Sequence, residues 1–260
     1  MMLHRELARL ARDLLSDPIA DAPEVDFTVA PNSPEEAAAL LGFAAENQLC
    51  VLFWGGGTHQ DIGYRVEPDI VVSTQRLNRI LDWQVEDLTV TVQPGVRVAD
   101  LEAELQQRNQ TAVLPELPGS ATVGGVVAAG LSGWRRLRYG PTRDRMLEVR
   151  LATGDGRLVR GGGRLVKNVT GYDLPRLATG SFGSLGMLAE MCLKLWPLPS
   201  SRAMVHVTDV ERALDDAYRP HALIETNAES TLYLAGTNDE LEAQAARVGG
   251  NLVPGHRWPE

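Results

Sequence analysis

The sequence predicts an α+β fold, and three observations carry that prediction. Short strand patterns and amphipathic helix patterns fill residues 25–117. A glycine-rich region with strand patterns follows from about 118 to 199, holding 15 of the chain's 25 glycines between Gly119 and Gly186. The proline pair Pro197 and Pro199 then closes this region and precedes a strand–helix–strand–strand–helix–strand order, the signature of a small ferredoxin-like unit.

Taken in order, residues 2–15 set Leu3, Leu7, Leu10, Leu14 and Leu15 at helical spacing, which predicts an amphipathic N-terminal helix in a segment 1–20. Ser33, Pro34 and Glu36 form a cap with proline in the first turn, starting a helix that runs to about residue 47. Strand 49–53 breaks at Gly55-Gly56-Gly57, and 69–73 reads as another strand. Residues 77–80 read as a short turn of helix, and 81–83 and 89–93 as strands around an acidic turn. In helix 96–109, Val98, Leu101 and Leu105 share a face. Residues 145–153 and 157–160 read as a hairpin whose Asp155-Gly156 step supplies positive φ, and 185–195 as an apolar strand. Beyond the prolines, strands are expected at 203–208, 222–225, 231–235 and 251–253, with helices at 209–217 and 238–247.

Composition bounds the function. A formal charge of −9 in 260 residues argues against nucleic acid as the main partner, since phosphate neutralisation requires a basic face. The run Arg135, Arg136, Arg138, Arg143, Arg145 is the local exception, read either as solvated surface or as a site receiving an anion or a partner subunit. Cys50 and Cys192 both lie in apolar stretches and read as free core thiols. No window approaches a membrane span and no apolar leader opens the chain, so the expected compartment is the cytoplasm.

Two amide-rich loops carry the chemistry. Gly55-Gly56-Gly57-Thr58 after a strand is a backbone nest able to converge on phosphate oxygens, and Ala121 to Gly125 within PGSATVGGVVAAGLSG (118–133) is a second. The chain has no P-loop lysine and no GxGxxG between strand and helix, which excludes an NTPase or Rossmann reading. His59 reads either as a polar loop residue or as a base or flavin attachment point. Lys167, Asn168, Gly171, Tyr172 and Asp173 read either as Asx-turn residues or as ligand lining. The small-residue loop 180–186 could present backbone to a flat polar ring. No metal-ligand spacing and no Ser/His/Asp order is present.

The series WGGGT (54–58), VTVQPGV (90–96), PGSATVGGVVAAGLSG (118–133), RRLRYGPTRD (135–144), KNVTGYDL (167–174) and GSFGSLGMLAE (180–190) resembles the PCMH-type FAD-binding domain of vanillyl-alcohol-oxidase flavoproteins. Within that superfamily it is most similar to the FAD-binding subunits of glycolate oxidases. The resemblance covers about residues 25–200. It implies a two-lobed domain over 21–200, with lobes at about 21–117 and 118–200 and FAD between them, followed by a short ferredoxin-like cap remnant over 201–260. It implies that Gly55, Gly56, Gly57, Thr58 and His59 hold the cofactor from one side. Pro118, Gly119, Thr122, Gly124 and Gly125 would hold it from the other, with Ser132 and Tyr139 nearer the isoalloxazine and Gly183, Gly186, Met187 and Leu188 at the adenine end. On this reading Gly124→Asp would set a like charge against the diphosphate.

The implied activity is oxidation of a small 2-hydroxy acid, glycolate to glyoxylate, by hydride transfer to FAD. The implied partners are a second flavoprotein subunit and an iron-sulfur subunit of a glycolate oxidase-like complex. The alternatives are a structural or electron-relay flavin module and a stand-alone flavin oxidoreductase. The chain departs from the pattern at Trp54, where relatives often have arginine, at Ala128-Ala129-Gly130, and in its short tail. His206, His221 and His256 have no paired spacing, so no catalytic residue is assigned.

Overall fold

A computed structural model describes residues 22–255 apart from 26, 65, 116, 118, 165–170 and 228. The expected N-terminal helix, Pro118, Lys167, Asn168 and His256 lie outside the described residues.

The first layer is a parallel sheet of β1 (Phe27–Val29), β3 (Ile70–Ser73) and β2 (Val51–Trp54), in the order β1-β3-β2. Helix α1 (Pro34–Glu46) connects β1 to β2. It starts as the sequence predicts: the Ser33 hydroxyl accepts the Glu36 amide at 3.1 Å, and Pro34 occupies the first turn, where no amide is needed. Ala37, Leu40 and Leu41 of its inner face pack with Val29, Ile70 and Val72. Residues 77–80 make no helix. The Leu77 carbonyl instead accepts the Gly95 amide at 2.7 Å, and β4 begins at Ile80.

The second layer is a five-stranded antiparallel sheet in the order β4 (Ile80–Gln84), β5 (Thr89–Val92), β9 (Met187–Lys194), β7 (Met146–Ala152), β8 (Leu158–Gly162). Helices α2 (Val98–Gln106) and α3 (Val123–Ala129) cover it, burying Leu101, Leu105, Val123, Val126 and Val127 against Val90, Met191 and Leu193. Part of the expected glycine loop is therefore helix. Thr122 caps α3 by accepting the Gly125 amide at 3.2 Å, and Gly130 ends it in the left-handed region at φ 68°. The 145–160 hairpin forms, but only Gly156 takes positive φ (79°), not Asp155. Gly156 and Gly42 meet backbone to backbone, which docks the hairpin turn on α1. Ala152 and Met187, paired at one end of β7 and β9, belong to the first layer's core and join the two layers.

Strand β10 (Trp196–Pro197) pairs with β6 (Gln110–Thr111) and leads out of this body. Helix α5 (Leu174–Ala178) precedes β9, and the elements beyond β10 are β11 (Ser201–Val207), α6 (Val210–Asp216), β12 (Ala222–Glu225), β13 (Ser230–Gly236), α7 (Asn238–Val248) and β14 (Leu252–Pro254). Their sheet is antiparallel with the order β12-β13-β11-β14. Val205, Leu232, Leu234, Leu241 and Ala245 form a separate core beneath it. Helix α7 begins with a reciprocal capping box between Thr237 and Glu240. The short helix α4 (Arg136–Tyr139) meets this unit: Arg138 donates to the Arg219 carbonyl, and the Tyr139 ring lies edge-on to both His221 (5.3 Å) and Trp196 (5.4 Å).

Candidate functional site

Strand β2 ends on Trp54, whose carbonyl accepts the Thr74 amide at 3.0 Å, and the chain turns at Gly55-Gly56-Gly57. A methyl group on Gly56 would lie 1.7 Å from the Ser120 carbonyl oxygen, and one on Gly55 would lie 2.4 Å from the Thr122 hydroxyl. The 55–57 loop therefore rests directly on the 119–122 loop. Gly57 has φ 72° and sits on the Trp54 ring, 2.9 Å from where its Cβ would be, so Trp54 supports the glycine turn from below.

The second loop is stitched to the segment before α2. Val98 donates to Ala121, Val123 to Val96 and Gly124 to Pro94, all at 2.8–2.9 Å. Among the described residues no protein group accepts from the amides of Gly55, Gly56, Gly57, Gly119 or Ser120. Five such amides on two touching loops form a nest suited to anionic oxygens. Four of these residues, Gly55, Gly56, Gly119 and Ser120, border a cavity of about 850 Å³, within the range of small-molecule and cofactor sites. Gly55, Gly56, Gly119, Ser120 and Thr122 line it together with Thr74, Asn78, Trp83, Arg97, Asp100 and Glu104.

Of the residues singled out in the sequence, Gly55, Gly56, Gly119 and Thr122 come together on this cavity. Thr58 and His59 follow, with the Thr58 hydroxyl 2.8 Å from His59 Nδ1. Other glycines are filled by protein. A Cβ on Gly124 would meet Pro94 at 2.5 Å, one on Gly183 the Phe53 ring at 2.6 Å, and one on Gly186 the Ala152 carbonyl at 2.2 Å. Gly124→Asp would therefore collide with Pro94 before it met any ligand. Gly125 donates its amide to Thr122. The Ser132 hydroxyl is buried and accepts the Thr142 amide at 3.1 Å, while Tyr139 sits at the seam with the C-terminal unit. Met187 and Leu188 turn buried side chains into two different cores.

The sequence reading missed Asn78, Trp83, Asp100 and Glu104. The last two were legible in principle, because they stand at i and i+4 on the polar face of a helix opening directly after the PGV turn. Arg97 holds Asp100 through two contacts at 2.6 and 3.0 Å.

The arginine run divides. Arg136 and Arg143 are exposed, as a solvated surface requires. Arg135 and Arg145 are buried, which corrects that reading. Arg145 donates to the Val113 carbonyl and to Thr142 Oγ1, and Arg135 to the Leu114 carbonyl at 2.7 Å. Burial pushes the Arg145 guanidinium down to about 10, with the Arg135 cation adding to the effect. Cys50 is likewise exposed rather than in the core, because it precedes β2 at the sheet's end. Cys192 is buried, and burial pushes its thiol up.

A family model described as an FAD binding domain matches residues 25–162. The chain belongs to the FAD binding domain family. FAD is accordingly the cofactor against which the nest and cavity are to be judged, and both fit an anionic nucleotide cofactor. Over 181 residues the chain is 34% identical to the glycolate oxidase subunit GlcD of Bacillus subtilis, covering 68% of this chain and 38% of that protein. It is 32% identical to the glycolate oxidase subunit GlcE of Escherichia coli (70% and 55% covered). With the D-lactate dehydrogenase of Archaeoglobus fulgidus the identity is 31% (91% and 52% covered). The chain thus spans between 38% and 55% of the length of these relatives. Among solved structures it resembles an alkyldihydroxyacetonephosphate synthase with a TM-score of 0.74 at 18% identity, covering 95% of this chain and 58% of that one. That likeness concerns the fold.

Proposed function

We propose that this FAD-binding-family chain carries FAD between its two layers and serves as the FAD-binding subunit of a 2-hydroxy-acid oxidoreductase of the glycolate oxidase type. The observation that carries this reading is the pair of touching loops, 55–57 and 119–122, whose residues Gly55, Gly56, Gly119 and Ser120 have unengaged amides and border one cavity. On this reading the amides of Gly55, Gly56, Gly119 and Ser120 hold the diphosphate. Asp100, paired with Arg97 of the same lining, and Glu104 offer carboxylate acceptors to the cofactor's hydroxyl or amino donors. Thr58 and His59 follow the 55–57 turn along the chain, and Ser132, Tyr139, Gly183, Gly186, Met187 and Leu188 are not among the residues that line the cavity.

When bound, FAD supplies the acceptor for the hydride leaving the α-carbon of the hydroxy acid. Among the described residues the cavity lining contains no histidine, and with its carboxylates assigned to the cofactor's donors we place removal of the hydroxyl proton on groups beyond it. A partner subunit is the natural source. The face beside α4 supports that reading: Trp134 and Leu137 are 48% and 53% exposed, and the exposed Arg136 and Arg143 give a cationic rim on a chain of charge −9. The second flavoprotein and the iron-sulfur subunit of a glycolate oxidase-like complex are the proposed partners. We further infer domains at 21–200 and 201–260, the latter ferredoxin-like, which its element order and sheet order support.

The visible spectrum of the purified chain tests this. Oxidised-flavin bands released by acid are expected. Colour retained after acid would turn attention to His59 as a covalent attachment point, and a colourless chain that takes up no added FAD would contradict the proposal. Turnover of glycolate or D-lactate by the chain alone with an artificial acceptor would replace the subunit reading with a stand-alone enzyme.

A further inference from the structure

We propose that Arg145 and Arg135 are positioning residues for the cofactor loop, their buried guanidinium groups fixing residues 113–114 in the conformation that delivers Gly119–Thr122 to the cavity. This rests on the reading that FAD lies against that loop. Val113 is 1% exposed and has φ 57°, the left-handed region that β-branched residues avoid. Left to itself it would return to the extended region and redirect the chain a few residues before Gly119.

Every backbone polar group of residues 113 and 114 is engaged by a side chain. The Val113 amide donates to Thr111 Oγ1 at 3.0 Å and the Leu114 amide to Glu102 Oε1 at 3.3 Å. The two consecutive carbonyls accept from Arg145 and Arg135. Thr111 is in turn held by Glu102 at 2.7 Å. The arginines come from the far side of α3, 21 and 32 positions along the chain, so they couple the loop to the segment that follows the helix. Two guanidinium groups are desolvated here for contacts to main-chain oxygen, an arrangement that fixes a conformation more than it adds stability.

The test is Arg145→Met, which keeps the bulk and removes the donors. FAD affinity is read from the quenching of flavin fluorescence, and amide hydrogen exchange is read across 113–122, at a temperature where circular dichroism shows the variant folded. At least tenfold weaker FAD binding and faster exchange confined to 113–122 are expected. Adding Val113→Gly, which adopts positive φ without being held, should return the affinity to within about threefold of the parent, a rescue that a merely structural role would not give. A folded Arg145→Met with parental affinity and parental exchange overturns the proposal. Should that variant not fold, Arg135→Met, which removes the Leu114 contact, is read by the same two measurements. If the parent chain takes up no FAD, the proposed function fails, and exchange at 113–122 alone decides whether the arginines order the loop.

Discussion

The loops at 119–125 and 180–186 look alike in sequence and do different work. In the second, Gly183 (φ 76°) lies against the Phe53 ring and Gly186 (φ 134°) against the Ala152 carbonyl, so its glycines answer to the protein's own packing. In the first, Gly124 also answers to packing against Pro94, but a Cβ on Gly119 would meet nothing within 4 Å. A glycine in a sequence announces that something comes close. Only the direction of its missing Cβ says whether that neighbour is the protein or open space left for a ligand.

Substitutions at the two kinds of glycine should therefore separate. The largest effect is expected from Gly56→Ala, whose methyl would fall 1.7 Å from the Ser120 carbonyl. The loops must part, and a loss of about 3 kcal/mol in urea unfolding should accompany it. Parental stability in that variant would mean that the loops do not touch. Gly186→Ala combines strained φ with the Ala152 oxygen at 2.2 Å and should lose about 2 kcal/mol, with FAD affinity per folded molecule unchanged. A selective loss of FAD binding there would restore the loop to the cofactor site. Gly119→Asp reverses the pattern: stability within about 0.5 kcal/mol of the parent, but FAD binding weakened tenfold or more, the deficit shrinking as salt is raised.

The smallest contrast is between the thiols. Cys50 is exposed, whereas Cys192 is buried with its thiol pushed up, which leaves it less thiolate at neutral pH. Iodoacetamide followed by mass spectrometry should mark Cys50 in the native protein and Cys192 only after unfolding. Equal rates would place β9 at the surface.

Signals that act within a few residues were legible. Ser33 before Pro34 and the strand and helix spacing beyond residue 200 gave elements close to those observed, and the Thr237–Glu240 pair before α7 was a further signal within reach. The helix inside the glycine stretch was available too, since Val123, Val126 and Val127 share a helical face between the Thr122 cap and Gly130. What the sequence hid depended on distant partners. Arg135 and Arg145 read as surface charge because acceptors that hold them include the main-chain carbonyls of Leu114 and Val113, which no residue type reveals. The same holds for the turn at 75–76, since Gly95 fits beneath the Thr74 and Leu77 carbonyls, and for the difference between Gly119 and Gly124. The family motifs pointed to the loops at 55–57 and 118–125, and the structure sets Gly55 and Gly56 against Ser120 and Thr122. The motifs did not say which glycines line the cavity.

The central claim is that FAD lies against the open side of the 119–122 loop. Titration of FAD into the parent chain, Gly119→Ala and Gly119→Asp, followed by flavin fluorescence, tests it most directly. The account predicts saturable binding by the parent, nearly equal binding by the alanine variant, and at least tenfold weaker binding by the aspartate variant at unchanged stability. Equal affinity in all three would place the cofactor elsewhere and contradict it.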